Sequence, residues 1–133
     1  MVFSSSFLAF ASTEDPDLIG LNSIGVSPYF VGVLQINYDF YNQGNDANVD
    51  ILVIPYPNKL TKATFSVDVK KDDGTLIKNW TSTGYINGDG DITFSNGCTL
   101  PGRGTYQMNA SIKCYNGSTL IETINSGAKY LTY

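Results

Sequence analysis

The chain has 133 residues, 42% hydrophobic and only 15% charged, with a formal net charge of −4. That length supports one domain with a real core. It contains no His and no basic run longer than Lys70-Lys71, which argues against nucleic acid, a ligand held by concentrated positive charge, and removes the commonest general base.

Residues 2 to 11 of "MVFSSSFLAFASTEDPD" are mostly apolar, yet too short to span a bilayer. Ala9-Phe10-Ala11 before Ser12 fits the small-x-small pattern of a secretory cleavage site, although a positive n-region is missing. Residues 1–12 therefore read as a signal-peptide remnant, with an exported N-terminal strand as the alternative. Glu14, Asp15, Pro16 and Asp17 open an acidic linker over 13–28, and 29–133 reads as one β domain. No other segment approaches transmembrane length.

Alternation dominates from there on. "VLQINYDFY" sets Leu34, Ile36, Tyr38 and Phe40 against Gln35, Asn37 and Asp39. "VDILVIPY" is apolar on both parities, the pattern of a central strand covered on both faces. "TFSVDVKK" turns Phe65, Val67 and Val69 inward, and "DITF" does the same with Ile92 and Phe94. In "YQMNASIKCY", Tyr106, Met108, Ala110, Ile112 and Cys114 share one face; a period of two is the mark of a half-buried strand. Asp73-Gly74 and Asn116-Gly117 predict type I′ hairpin turns, in which both central residues take positive φ. Gly44-Asn45-Asp46 closes an earlier hairpin, Pro55 and Pro57 end the second strand, and Leu100–Gly104 forms a longer corner. About seven strands are expected, near 30–41, 47–55, 62–71, 75–83, 90–98, 104–115 and 118–132. Short strands at this spacing predict an all-β, two-sheet antiparallel sandwich.

The stretch "LPGRGTYQMNASIKCY" resembles the corner and following strand of immunoglobulin-like and fibronectin type III sandwiches, where a Leu, a Pro-Gly turn and a Tyr precede an alternating strand. From "ATFSVDVKKDDGTLIKNW" to "YNGSTLIETINSGAKYLTY" the chain resembles small secreted proteins of Gram-positive bacteria of unknown function. The resemblance implies a single immunoglobulin-like sandwich behind a signal peptide, and it carries no catalytic residue.

One stretch looks like chemistry. In "YINGDGDITFSN", placing Gly90 at position 6 of a calcium loop puts Asn87 at 3 and Asp89 at 5, with Asp91 beside them and Ile92 at the apolar position. Tyr85 and Asn96 then occupy the positions of the anchoring carboxylates, and the flanks are strands. Asn87, Asp89 and Asp91 are thus at most weak calcium ligands, and the plainer reading is a glycine turn. Otherwise no metal or cofactor is implied.

Cys98 and Cys114 share inward parity, which favours a disulfide in a secreted chain. Their unequal distances from the corner argue for separation, so pairing and two buried thiols both stand. Asn79, Asn109 and Asn116 head N-x-[ST] sequons, which are glycosylation acceptors or chance products of an Asn- and Ser/Thr-rich surface. Tyr41, Tyr115, Tyr130 and Tyr133 are the rings expected to be exposed; Tyr38, Phe40, Tyr56, Trp80 and Tyr85 are divided between core and a sugar-stacking surface. Only Glu14 and Glu122 supply glutamates, and paired-carboxylate or serine chemistry has no partner here. The expectation is a non-enzymatic secreted or cell-surface protein that binds or builds structure, touching protein or glycan but not nucleic acid. The alternatives are a carbohydrate-binding module and a filament or pilus subunit assembled by strand addition.

Overall fold

The computed structural model describes residues 30–133. The signal-peptide or strand reading of 1–12 and the linker over 13–28 lie outside the described residues.

Eight strands follow one another: β1 (Val33–Gln43), β2 (Asp46–Pro55), β3 (Lys62–Lys71), β4 (Leu76–Tyr85), β5 (Ile92–Thr99), β6 (Thr105–Asn116), β7 (Thr119–Asn125) and β8 (Lys129–Thr132). They form two antiparallel sheets, one ordered β1-β2-β5 and the other β4-β3-β6-β7, with β8 also paired to β6. The described residues contain no helix, and none long and apolar enough to cross a membrane. The fold is an all-β two-sheet sandwich.

The seventh expected strand is two. β7 pairs Ser111–Asn116, and β8 pairs Thr105–Met108 on the same edge of β6, one residue out of register. Ser126 makes the joint: its N–H donates to the Ala110 carbonyl, and its hydroxyl accepts the Ala110 N–H. Gly127 follows at φ 70°, where a residue without Cβ costs least.

The alternation in sequence becomes the core. Phe65, Val67 and Val69 of β3 face Ile112, Ala110 and Met108 of β6, and all of them are buried. Each large side chain so buried contributes roughly 1.5–3 kcal/mol. Trp80 and Phe65 both pack against Phe94 across the sheets, with ring centroids at 6.0 and 5.4 Å. At the β5–β6 corner, Tyr106 is buried with Leu100 and Ala47, and its hydroxyl donates to the Gly102 carbonyl four residues upstream. Gly104 and Tyr133 exchange both backbone hydrogen bonds and close the C-terminus onto that corner.

Three expectations change. Leu34 is 57% exposed because a bulge between Val33 and Gln35 takes it out of the ladder, leaving Val33 to fill the core. β2 buries Val49, Ile51 and Val53 but leaves Leu52 and Ile54 half-exposed, so it is covered fully on one face only. The hairpins do not use I′ turns, since Asn58 is the only non-glycine with positive φ among the described residues. Gly117-Ser118 and Gly44-Asn45 join strands with a positive φ at the first central residue alone, the II′ pattern. Gly74 instead ends a three-residue loop: its N–H donates to Lys71, and the Lys71 N–H donates to Thr75.

Candidate functional site

The predicted calcium ligands sit on the β4–β5 loop. Asn87 organises it: its side-chain oxygen accepts the N–H of Asp89 at 2.9 Å and of Asp91 at 3.1 Å. Its backbone N–H donates to Asp91, and its carbonyl accepts Gly90 N–H, with Gly90 at φ 83°. An Asn side chain that closes its own turn in this way is a local structural device, and that amide oxygen is already engaged. Ile92 and Phe94 beyond it are core. Among the described residues no group of three or more Cys, Asp or Glu side chains is placed to hold a metal ion.

The cysteines are two free thiols. Cys98 pairs with Ala47 in the smaller sheet, while Cys114 pairs with Ala63 and Glu122 in the larger one. Burial, with the Glu122 carboxylate beside it, pushes Cys114 up to about 12, and burial raises Cys98 as well. Both are protonated, weak nucleophiles at neutral pH. Tyr38 lies close by. Burial raises its pKa strongly, and its hydroxyl is buried without a hydrogen-bond partner.

The aromatic side chains divide differently from the sequence expectation. Of the four expected to be exposed, only Tyr130 is. Tyr41 is half-buried and donates to Asp50 at 3.0 Å, which raises its pKa. Tyr115 carries Lys62 over its ring at 5.4 Å, and Tyr133 carries Arg103 at 4.6 Å. Trp80 is buried and Tyr38 half-buried, whereas Tyr56 and Tyr85 stand in solvent. The rings therefore form no single flat platform. Of the sequons, Asn79 and Asn116 are exposed and Asn109 is half-buried; the Asn79 side chain donates to Asp68.

What residue-by-residue reading missed is an end of the molecule. Val31, Leu34, Tyr56, Tyr85, Ile86 and Leu120 are all exposed. Pairing brings them together: β1 begins opposite the end of β2, Lys62 lies between Tyr85 and Tyr115, and Tyr115 pairs with Leu120. Thr61 gathers the segments. Its N–H donates to Tyr115, its carbonyl accepts Ile86 N–H, and its hydroxyl accepts Gly117 N–H. Glu122 ties the sheets at the same end, accepting Val31 N–H at 3.0 Å and Gly32 N–H at 2.7 Å. The opposite end carries Asn45, Asp46, Asp72, Asp73 and Arg103, all exposed. The apolar end is assembled from four chain segments, so no single stretch of sequence announces it.

No protein-family model matches the chain, and no curated protein matches it.

Proposed function

We propose that this chain is a secreted or cell-surface immunoglobulin-like module that binds or builds structure and catalyses no reaction. The observation that carries the immunoglobulin-like reading is Tyr106. A Tyr at the start of the sixth strand that returns its hydroxyl to the backbone of the preceding corner is a hallmark of such sandwiches. The Greek-key order, β1-β2-β5 facing β4-β3-β6-β7, supports the same reading. Extracellular placement rests on the sequence of residues 2–11 and on a surface supplied by Ser, Thr, Asn and Tyr in place of charge. Fractionating the source cells tests it: the protein is expected in the medium or accessible to protease on intact cells. Exclusive retention in the cytoplasm would contradict it.

Two narrower readings have specific tests. For glycan binding, the supporting observation is the outer face of the larger sheet, where Thr64, Ser66, Ser111 and Gln107 lie in neighbouring rows with exposed Tyr130 beside Gln107. Polysaccharide capture unaffected by Tyr130→Ala would remove it. Strand-addition assembly depends on residues 1–12, outside the described residues, and a chain that stays monomeric at high concentration would count against it.

A further inference from the structure

The apolar end has a composition that bears on its partner. Tyr85 and Val31 are largely exposed, and of the large apolar side chains in solvent only Leu76 and Tyr130 lie away from this end. Large exposed apolar groups gathered in one place mark a protein or membrane interaction site. We propose that this end of the sandwich docks on the surface of a lipid bilayer. The inference deepens the binding-module reading by naming the partner, and it rests on that reading.

Three observations favour a bilayer over a folded protein. The exposed groups are tyrosines and aliphatics, the mixture that settles at a membrane interface, with phenol groups at headgroup level and alkyl groups below. They stand on strand ends and loops from four segments, an arrangement suited to shallow insertion into a fluid. Lys59 and Lys62 share this end, and long lysine stems lie along apolar surface while their ammonium groups reach the headgroups. Asp89, Asp91 and Glu122 outnumber the two lysines. Insertion therefore carries the binding, and anionic lipid is not required.

The test uses the full chain and vesicles of phosphatidylcholine, alone or with phosphatidylglycerol. Tyr85→Trp and Tyr130→Trp place an indole at the apolar end and on the far half of the larger sheet. Buried Trp80 contributes the same background to both. With brominated phosphatidylcholine, Tyr85→Trp emission is expected to fall as the brominated fraction rises, while Tyr130→Trp emission is unchanged. The triple substitution Tyr85→Ser, Ile86→Ser, Leu120→Ser is expected to weaken vesicle partition at least about tenfold while keeping the wild-type melting point. Equal quenching of both indoles, no quenching of either, or undiminished partition of the triple variant would overturn the proposal. That includes the case in which a second copy, seen as a stable dimer, covers the end instead. A chain found outside the cell that ignores vesicles refutes this inference alone, whereas cytoplasmic retention refutes the extracellular reading.

Discussion

The two ends of the sandwich use apolar residues in opposite ways. At the corner end, Leu100, Ala47 and Tyr106 are buried together, Tyr133 folds over them, and the loops outside are mostly Asp, Asn, Gly and Arg, with Leu76 the one exposed aliphatic among the described residues there. At the other end, Thr61 and Glu122 satisfy the backbone groups that bring the sheets together, and large apolar side chains are left in water. Val33, Leu60 and Ile92 are buried beneath that end, so the two ends differ in what lies outside the core and not in how well it is filled.

Substitutions sharpen this contrast in decreasing order of effect. Tyr106→Ala removes a fully buried ring and is expected to cost about 3–5 kcal/mol. Tyr106→Phe, which removes only the hydrogen bond to Gly102, should cost about 1 kcal/mol. Urea denaturation of the pair separates packing from the hydroxyl. If Tyr106→Ala costs no more than Tyr106→Phe, the corner is not packed.

At the other end, Glu122→Ala leaves the N–H groups of Val31 and Gly32 without their carboxylate and is expected to cost about 1–3 kcal/mol. A loss no larger than that of an ordinary surface substitution would mean that the joint is open to water.

Alkali probes the interior between the ends. Cys114 is raised from 9.0 to about 12 by burial, and burial raises Tyr38 and Cys98 in the same direction. The folded chain holds these protons more tightly than the unfolded chain does. Their contribution is therefore intact below pH 9.0 and is lost as the pH climbs from there toward about 12. Denaturation midpoints should fall across that window, and a flat profile would contradict the buried placement of these groups.

The smallest effects belong to the exposed apolar groups. Ile86→Ser with Leu120→Ser should change stability by no more than about 0.5 kcal/mol per site, measured by the same urea transitions. Millimolar calcium should leave the melting point unchanged, because the Asn87 amide oxygen already closes its own loop. A clear upward shift would show a ligand bound to the native state and would reopen the loop as a site.

The sheet framework was legible because a period of two survives wherever one face is dry, as it does from Tyr106 to Cys114. The tyrosine corner was legible for a different reason: its Leu, Pro-Gly and Tyr lie within seven residues. Where the ladder slips by one residue, as at Leu34 or between β7 and β8, the local pattern looks regular and only pairing with a neighbour reveals the slip. Turn type escaped for a related reason. Asn116-Gly117 satisfies the I′ preference, yet the register closes the hairpin one residue later, around Gly117-Ser118. The "NGDGD" stretch drew attention through its residue types, but Asn87 directs its polarity at its own backbone. The apolar end gave no local signal, since Val31, Tyr56, Ile86 and Leu120 belong to separate segments whose meeting depends on the whole topology.

The central claim is that the ends differ in role, with the Thr61–Glu122 end facing a partner and the Tyr106 end facing solvent. Amide hydrogen exchange of the intact chain, with and without phosphatidylcholine vesicles, tests it most directly. The account predicts that vesicles slow exchange in residues 56–61, 85–91 and 117–120 and leave 44–46, 72–75 and 101–104 unchanged. Protection confined to the second set, or spread equally over both, would contradict it.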